Sequence, residues 1–333
     1  MKNNRNNIEL IINGNKNNLV EEYKLKKGEN KVKIIIKNKI TNLEKMFYEC
    51  KSLKNIEELK YLDTKEIKDF SLMFAQCSLI SDIKGLENWN VSNGNDFSCM
   101  FYECSSLSDI KVLQNWNVSN GNDFSSMFEG CTSLSDIKAL ENWNVSNGND
   151  FSSMFKGCSS LSDIKALENW NVSNGKNFRS LFLGCSSLLY INELKNWNVS
   201  NGNDFSSMFK GCSSLSDIKV LQNWNVSNGD NFSCMFEGCS SLCDIKGLQN
   251  WNVSNGYYFS YMFSRCLSLS DIKGLKNWDV SIKKEKELSN MFYGCLSLCD
   301  IKGLLNWNLF DWIYEDMISN SDSDSDYYYY DLF

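Results

Sequence analysis

The sequence predicts an α/β solenoid: about ten 27-residue units, each a strand, a turn and a short helix, with parallel strands lining the concave side. Three observations predict it. Trp89, Trp116, Trp143, Trp170, Trp197, Trp224, Trp251 and Trp278 stand 27 residues apart, and Trp307 follows after 29. Cys50, Cys77, Cys104, Cys131, Cys158, Cys185, Cys212, Cys239, Cys266 and Cys295 keep the same step, with the same two-residue stretch at the end. Inside each unit the apolar spacing changes from strand-like to helix-like.

The unit after Cys131 shows the change. Ile137, Trp143 and Val145 are flanked by polar residues, so Leu134 to Val145 reads as extended chain, and Asn147-Gly148 signals a turn. Phe151, Met154, Phe155 and Cys158 follow at i, i+3, i+4 and i+7, one face of a short helix. Asp150 is placed to cap its first N–H groups and Gly157 lies near its end. One such unit cannot cover its own flanks, so neighbours must. Strands stack about 4.8 Å apart while helices need about 10 Å, which should splay the helical side and curve the stack.

Ahead of the units, Ile8 to Ile12, then Tyr23 to Leu25 and Val32 to Ile36 around Lys27-Gly28-Glu29-Asn30, read as short strands and a hairpin, so residues 1–42 are expected to form a β cap on the repeat body of 43–307. After Trp278 the Asn-Gly turn gives way to Ile282-Lys-Lys-Glu-Lys-Glu-Leu288, a longer closing connection. Residues 308–318, with Phe310, Trp312, Ile313, Met317 and Ile318, are expected to form a C-terminal capping helix. Residues 319–333 form an acidic, low-complexity tail expected to be disordered. Its serines beside aspartates are candidate phosphorylation sites, and it reads either as a solubilising tail or as an aromatic-acidic segment that docks on a basic partner, the +6 head of another copy among them.

The net charge of −7 divides into +6 over residues 1–40, −6 over 41–307 and −7 over 308–333. Lys24, Lys26, Lys27, Lys31, Lys33, Lys37 and Lys39 read either as edge-strand protection or as a patch for nucleic acid or acidic lipid; a nucleic-acid partner is not the expectation. No apolar stretch approaches a membrane span, and Met1 to Asn7 is polar.

Histidine is absent, which removes the side chain most used for acid-base work near neutral pH and the commonest metal-binding imidazole. The Cys239/Cys243 and Cys295/Cys299 pairs lack zinc-type spacing. No catalytic residue, metal, cofactor or small-molecule substrate is expected, since near-identical units offer no convergent set of different groups. The repeat cysteines read as buried hydrophobes. Cys99 and Cys234 share a column five units apart and Cys243 and Cys299 another two units apart, too far to bridge. Unpaired thiols favour a reducing compartment.

Three columns invite interpretation. Asn88, Asn115, Asn142, Asn169, Asn196, Asn223, Asn250, Asn277 and Asn306 precede the tryptophans and are suited to satisfying backbone groups between units. Aspartates such as Asp136 sit two residues before lysines such as Lys138, which on a strand puts acidic and basic rows on one face. N-V-S at Asn90, Asn117, Asn144, Asn171, Asn198, Asn225 and Asn252 is either a row of glycan acceptors or the repeat's own spelling.

Units reading L-x-x-I-x-x-L-x-N-W-N-V-S-x-x-x-x-F-S-x-M-F-x-x-C resemble the BspA-like leucine-rich-repeat surface proteins, in the branch with a W-D-x-S and M-F-x-x-C signature. The resemblance spans about residues 43–307. It implies a curved leucine-rich-repeat-type scaffold at a microbial surface that binds host or neighbouring-cell proteins; the unpaired cysteines and polar N-terminus point instead to a cytoplasmic scaffold or adaptor.

Where units depart from the common spelling, a partner site is expected. One departure holds Lys176, Arg179, Leu181 and Leu183, then Leu189, Tyr190, Asn192 and Glu193; a second holds Tyr257, Tyr258, Tyr261 and Arg265. A protein partner is the expectation for both.

Overall fold

The computed structural model describes residues 7–17, 26–28, 30–37, 39–280, 286–299, 304 and 307. The expected strand at Tyr23 to Leu25, the capping helix over 308–318 and the tail over 319–333 lie outside the described residues.

Near the N-terminus, β1 (Ile8–Ile12), β2 (Asn15–Asn17) and β3 (Val32–Ile36) form an antiparallel sheet in the order β2-β1-β3, with Leu10 opposite Asn17 and Ile8 opposite Ile36. Strand β1 alternates as its sequence does, with Ile8, Leu10 and Ile12 buried. The tight β1–β2 hairpin escaped the sequence reading. Its signal is Asn13-Gly14, both at positive φ (51° and 84°), the turn chemistry that matches strand twist. Ile34 and Ile36 of β3 pack against the core of the first repeat unit.

From residue 43 onward the chain winds in 27-residue units laid one on the next. The expected short helix is corrected by the structure: Phe124 to Cys131, like its counterparts, is a pair of tandem turns. Ser126 and Gly130, the third residue of each turn, have φ of 52° and 73°. The backbone bonds explain the preference. Phe124, Ser126, Phe128 and Gly130 donate their N–H groups to the carbonyls of Asp150, Ser152, Met154 and Lys156 in the following unit at 2.7–3.0 Å. The intervening Met127, Glu129 and Cys131 donate back to Phe124, Ser126 and Phe128 at 3.1–3.3 Å. An α-helix would consume every N–H within its own segment; the turns send every second one to the neighbour.

That geometry is held at a cost. In the Ser126 column ten residues without a glycine's freedom, from Lys45 to Asn290, take positive φ, at about 1–2 kcal/mol each. The bonds to the next unit offset it, because a backbone N–H left unpaired in the core costs as much or more.

The expected strand is corrected as well. Leu134 to Val145 contains a 3-10 turn at Lys138–Leu140, and equivalent turns recur from Glu57–Tyr61 to Lys273–Leu275. The cause is local: the Asp136 carboxylate accepts the Lys138 N–H at 2.8 Å, and Leu140 N–H bonds to Ile137 O at 2.9 Å, which bends the chain out of extension. Among the described residues, strand-type pairing between units is limited to isolated parallel bridges such as Asp123 to Asp150 and Asp82 to Asp109.

The premise for splaying also falls. With no helix, no side of the unit needs a 10 Å step. Phenylalanine rings stack on their counterparts at 5.3–5.9 Å, and the Trp89–Trp116–Trp143–Trp170 and Trp224–Trp251–Trp278–Trp307 series at 6.2–6.5 Å with planes within 5°. The core is one continuous column of Phe, Met, Trp, Ile, Leu and Cys side chains, most of them fully buried.

Candidate interaction surface

Most conspicuous polar columns turn out to build the stack. Each repeat tryptophan from Trp89 to Trp307 donates its Nε1–H to a leucine carbonyl of the preceding unit, as Trp143 does to Leu113 at 2.8 Å. Each repeat cysteine from Cys77 on donates its S–H to a phenylalanine carbonyl of the preceding unit at 3.0–3.2 Å, as Cys158 does to Phe128. The side-chain bonding between units expected of the Asn88 column falls to the Asn93 column. Asn120, Asn147, Asn174, Asn201, Asn228 and Asn255 donate Nδ2–H to a serine carbonyl one unit back at 2.7 Å. The Asn88 side chain is exposed.

The aspartate and lysine rows are not a strand face. Each aspartate from Asp82 to Asp271 in this column accepts the lysine N–H that opens its own 3-10 turn, while the lysine side chain projects: Lys273 is 81% exposed, 3.9 Å from Asp271. In the N-V-S column, Asn144 accepts the Ser146 N–H at 3.1 Å in a local turn and is itself exposed.

A second acidic column runs through Asp69, Asp96, Asp123 and Asp150, placed in register by the parallel bridges. Each accepts both the N–H and the hydroxyl of the serine two residues on, at 2.6–2.9 Å. Asn42 and Asn177 close the two ends by donating to Asp69 and Asp150 at 2.7 and 3.0 Å. Burial raises the Asp96 carboxyl above its ordinary value, with repulsion from Asp123 and Asp69 adding to it and the Ser98 bonds opposing.

The cysteines carry no disulfide, and all fourteen are free. Burial pushes the Cys104 and Cys212 thiols up to about 12. These are inert packing groups. Cys50, Cys243 and Cys299 are exposed. Among the described residues no helix is long and apolar enough to cross a membrane.

Against this regular background the expected partner residues fall into two groups on opposite sides. Leu189 and Tyr190 stand where other units carry Ser and Asp, and are 47% and 57% exposed. Beside them Asn192 is exposed, Glu193 is half-buried, and Lys195 pairs with Glu168 at 3.0 Å. Lys176 lies 14 residues before Tyr190, half of a 27-residue circuit, so it and the nearby exposed Arg179 belong to the far side; Leu181 is core and Leu183 half-buried.

The tyrosine group shares that far side. Tyr257 lies in the Lys176 column, three units on, where ring steps are 5.4–5.6 Å. Tyr257 and Tyr258 meet edge to face at 4.6 Å, Tyr261 accepts from Asn290 at 3.1 Å, and exposed Arg265 lies over the Tyr293 ring at 5.8 Å. Tyr261 and Arg265 both hold positive φ, 59° and 57°.

Some exposed apolar residues went unread in the sequence. Leu267 and Leu296, 44% and 82% exposed, replace the first serine after the repeat cysteine in adjacent units, and Tyr61 is 76% exposed. The signal was there as Cys-Leu-Ser-Leu in place of Cys-Ser-Ser-Leu.

A family model described as "Mycoplasma protein of unknown function, DUF285" matches residues 17–137, 108–219 and 215–324, and the chain belongs to that family. No curated protein sequence matches it. Among solved structures the chain is similar to the functional domain of InlJ from Listeria monocytogenes, which includes a cysteine ladder, at 11% identity and a TM-score of 0.14. That match covers 68% of this chain and 64% of the other, so the chain spans less than two thirds of that protein's length.

Proposed function

We propose that this DUF285 repeat protein is a non-enzymatic solenoid scaffold that recognises a protein partner, in the manner of the BspA-like surface proteins its units resemble. One observation carries the reading. In a stack whose exposed columns repeat Ser, Asp and Lys almost without variation, the unit at Leu189 and Tyr190 exposes a leucine and a tyrosine instead. Aromatic residues on an otherwise polar surface are the side chains that anchor interfaces. The polar rows around them cap turns and supply solubility. The absence of histidine and the inertness of the buried thiols support a binding role over a catalytic one.

The test is to restore the common spelling with Leu189→Ser, Tyr190→Asp, Asn192→Lys and Glu193→Ala. Thermal stability should hold or rise, because Asp at 190 regains the turn cap seen in neighbouring units, while a partner cross-linked to the parent protein should be lost. A partner retained by the restored protein would refute this site.

The cell-surface and the intracellular settings both accommodate such a scaffold, and fourteen free cysteines favour the second. Protease treatment of intact cells separates them: digestion places the chain outside, protection until lysis places it inside.

A further inference from the structure

Between β3 and the first repeat unit lies an open groove of about 890 Å³, walled by Ile34, Ile36, Ile40, Leu59, Tyr61 and Leu62. Tyr61 is 76% exposed and the adjoining Val32 46%, so the apolar wall reaches the surface. The groove's own lining is balanced, Lys33, Lys39 and Lys65 standing beside Glu58, Asp63 and Glu66; the excess of cations lies on the exposed chain that leads into Lys33. Glu9 is taken by Lys16 and Lys37, Glu66 by Lys39 at 3.0 Å and Asp63 by Lys65 at 3.3 Å. Lys26, Lys27, Lys31 and Lys33 are exposed, and among the described residues no carboxylate pairs with them. Elsewhere on the stack aspartate and lysine rows alternate; among the described residues, this is where an open apolar wall adjoins exposed lysines.

The same chain carries the complementary chemistry. Residues 308–333 hold seven acidic and no basic residues, with Phe310, Trp312, Tyr327 to Tyr330, Leu332 and Phe333 among them. We infer that residues 319–333 of one copy dock on this groove in a second copy, aromatic side chains against the apolar wall and carboxylates against Lys26, Lys27, Lys31 and Lys33.

Reach decides between the same molecule and another. The first and last units are separated by nine ring steps of 5.4–5.9 Å from Phe47 to Phe292, roughly 50 Å. The docked segment is 319–333, so residues 308–318 must span the gap, and eleven residues reach at most roughly 40 Å when fully extended. The groove of the same molecule lies beyond that reach, whereas a neighbouring copy presents a groove without that limit. Two reciprocal contacts close as a dimer; single head-to-tail contacts extend as a chain.

Sedimentation of the full chain across a hundredfold concentration range, in roughly 50 mM and roughly 500 mM salt, reads the association, because screening over a few ångströms weakens pairing of exposed charges. Self-association at low salt should weaken at least tenfold at high salt. It should also vanish both in Asp322/Asp324/Asp326/Asp331→Asn and in Lys26/Lys27/Lys31/Lys33→Ser. Carbodiimide cross-linking of an equal mixture of light and isotope-labelled chains should join the four lysines to the tail aspartates in mixed pairs. A chain that stays monomeric at low salt, association that survives both variants, or cross-links confined to single chains would each overturn the inference.

Discussion

Replacing Trp143 by Phe tests the bond that ties each unit to the one before it. The Trp143 ring is 4% exposed and lies between Trp116 and Trp170 at 6.5 and 6.4 Å, with Nε1–H on the Leu113 carbonyl at 2.8 Å. Phenylalanine keeps a stacked ring but loses the donor and part of the bulk. The lost apolar area, roughly 40 Å², is worth about 1 kcal/mol. The unfilled space, roughly 35 Å³, adds about 0.8 kcal/mol. The Leu113 carbonyl still accepts the Trp116 N–H at 3.1 Å, so the loss of its second donor belongs at the low end, about 1 kcal/mol. The expected loss is about 3 kcal/mol, read as a lower urea midpoint by far-UV circular dichroism at constant slope. Asn147→Ala is the contrast: it removes the 2.7 Å bond to Ser119 at an exposed site where water replaces the donor, for about 0.5 kcal/mol. If Trp143→Phe cost no more than Asn147→Ala, the indole bond would not couple the units.

Two glycines should respond differently to the same added methyl. A Cβ at Gly148 would meet Val145 O at 3.0 Å and press into the Phe151 ring, so Gly148→Ala should cost more than about 2 kcal/mol in the same titration. A Cβ at Gly157 meets only the Gly130 backbone at 3.6 Å, leaving its φ of 71° as the penalty, about 1 kcal/mol. Alkali should unfold the protein through its thiols. The folded pKa of Cys104 and Cys212, about 12, is above the unfolded value near 9, so their contribution is intact below pH 9 and is lost as pH rises toward 12. Each adds up to about 1.4 kcal/mol per pH unit to that decline, so Cys104→Ala with Cys212→Ala should make the fall in stability between pH 9 and 11 measurably shallower, the other buried thiols sustaining the rest. Deleting residues 131–157 in frame should leave a folded monomer-sized unit stack, because Gly130 then meets Cys158 with every column in register; loss of cooperative melting would refute nearest-neighbour stacking.

The interaction surface was only partly legible in the sequence. Tyr190, Tyr257 and Arg265 stood out because they break a column, and the structure places them exposed or half-buried as surface residues. Which of them share a side was not legible. Separation along a 27-residue circuit becomes direction only once the circuit is known, and it puts Lys176 and Arg179 with the tyrosines of 257–261, away from Tyr190. The capping role of Asp136 was likewise hidden, since alternation on a strand and a side chain bonded two residues on use the same spacing.

By itself the sequence determined the unit length, the columns that stack and the residues that are buried: a repeat of 27 with Trp, Phe, Met and Cys in fixed places admits few other arrangements. Only the tertiary structure decided how the backbone carries them. Apolar residues at i, i+3, i+4 and i+7 suit a helix and a pair of tandem turns equally. The choice falls to the turns because alternate N–H groups from Phe124 to Gly130 find carbonyls in the following unit. That partner is 26 residues away in the chain, where no local propensity can register it.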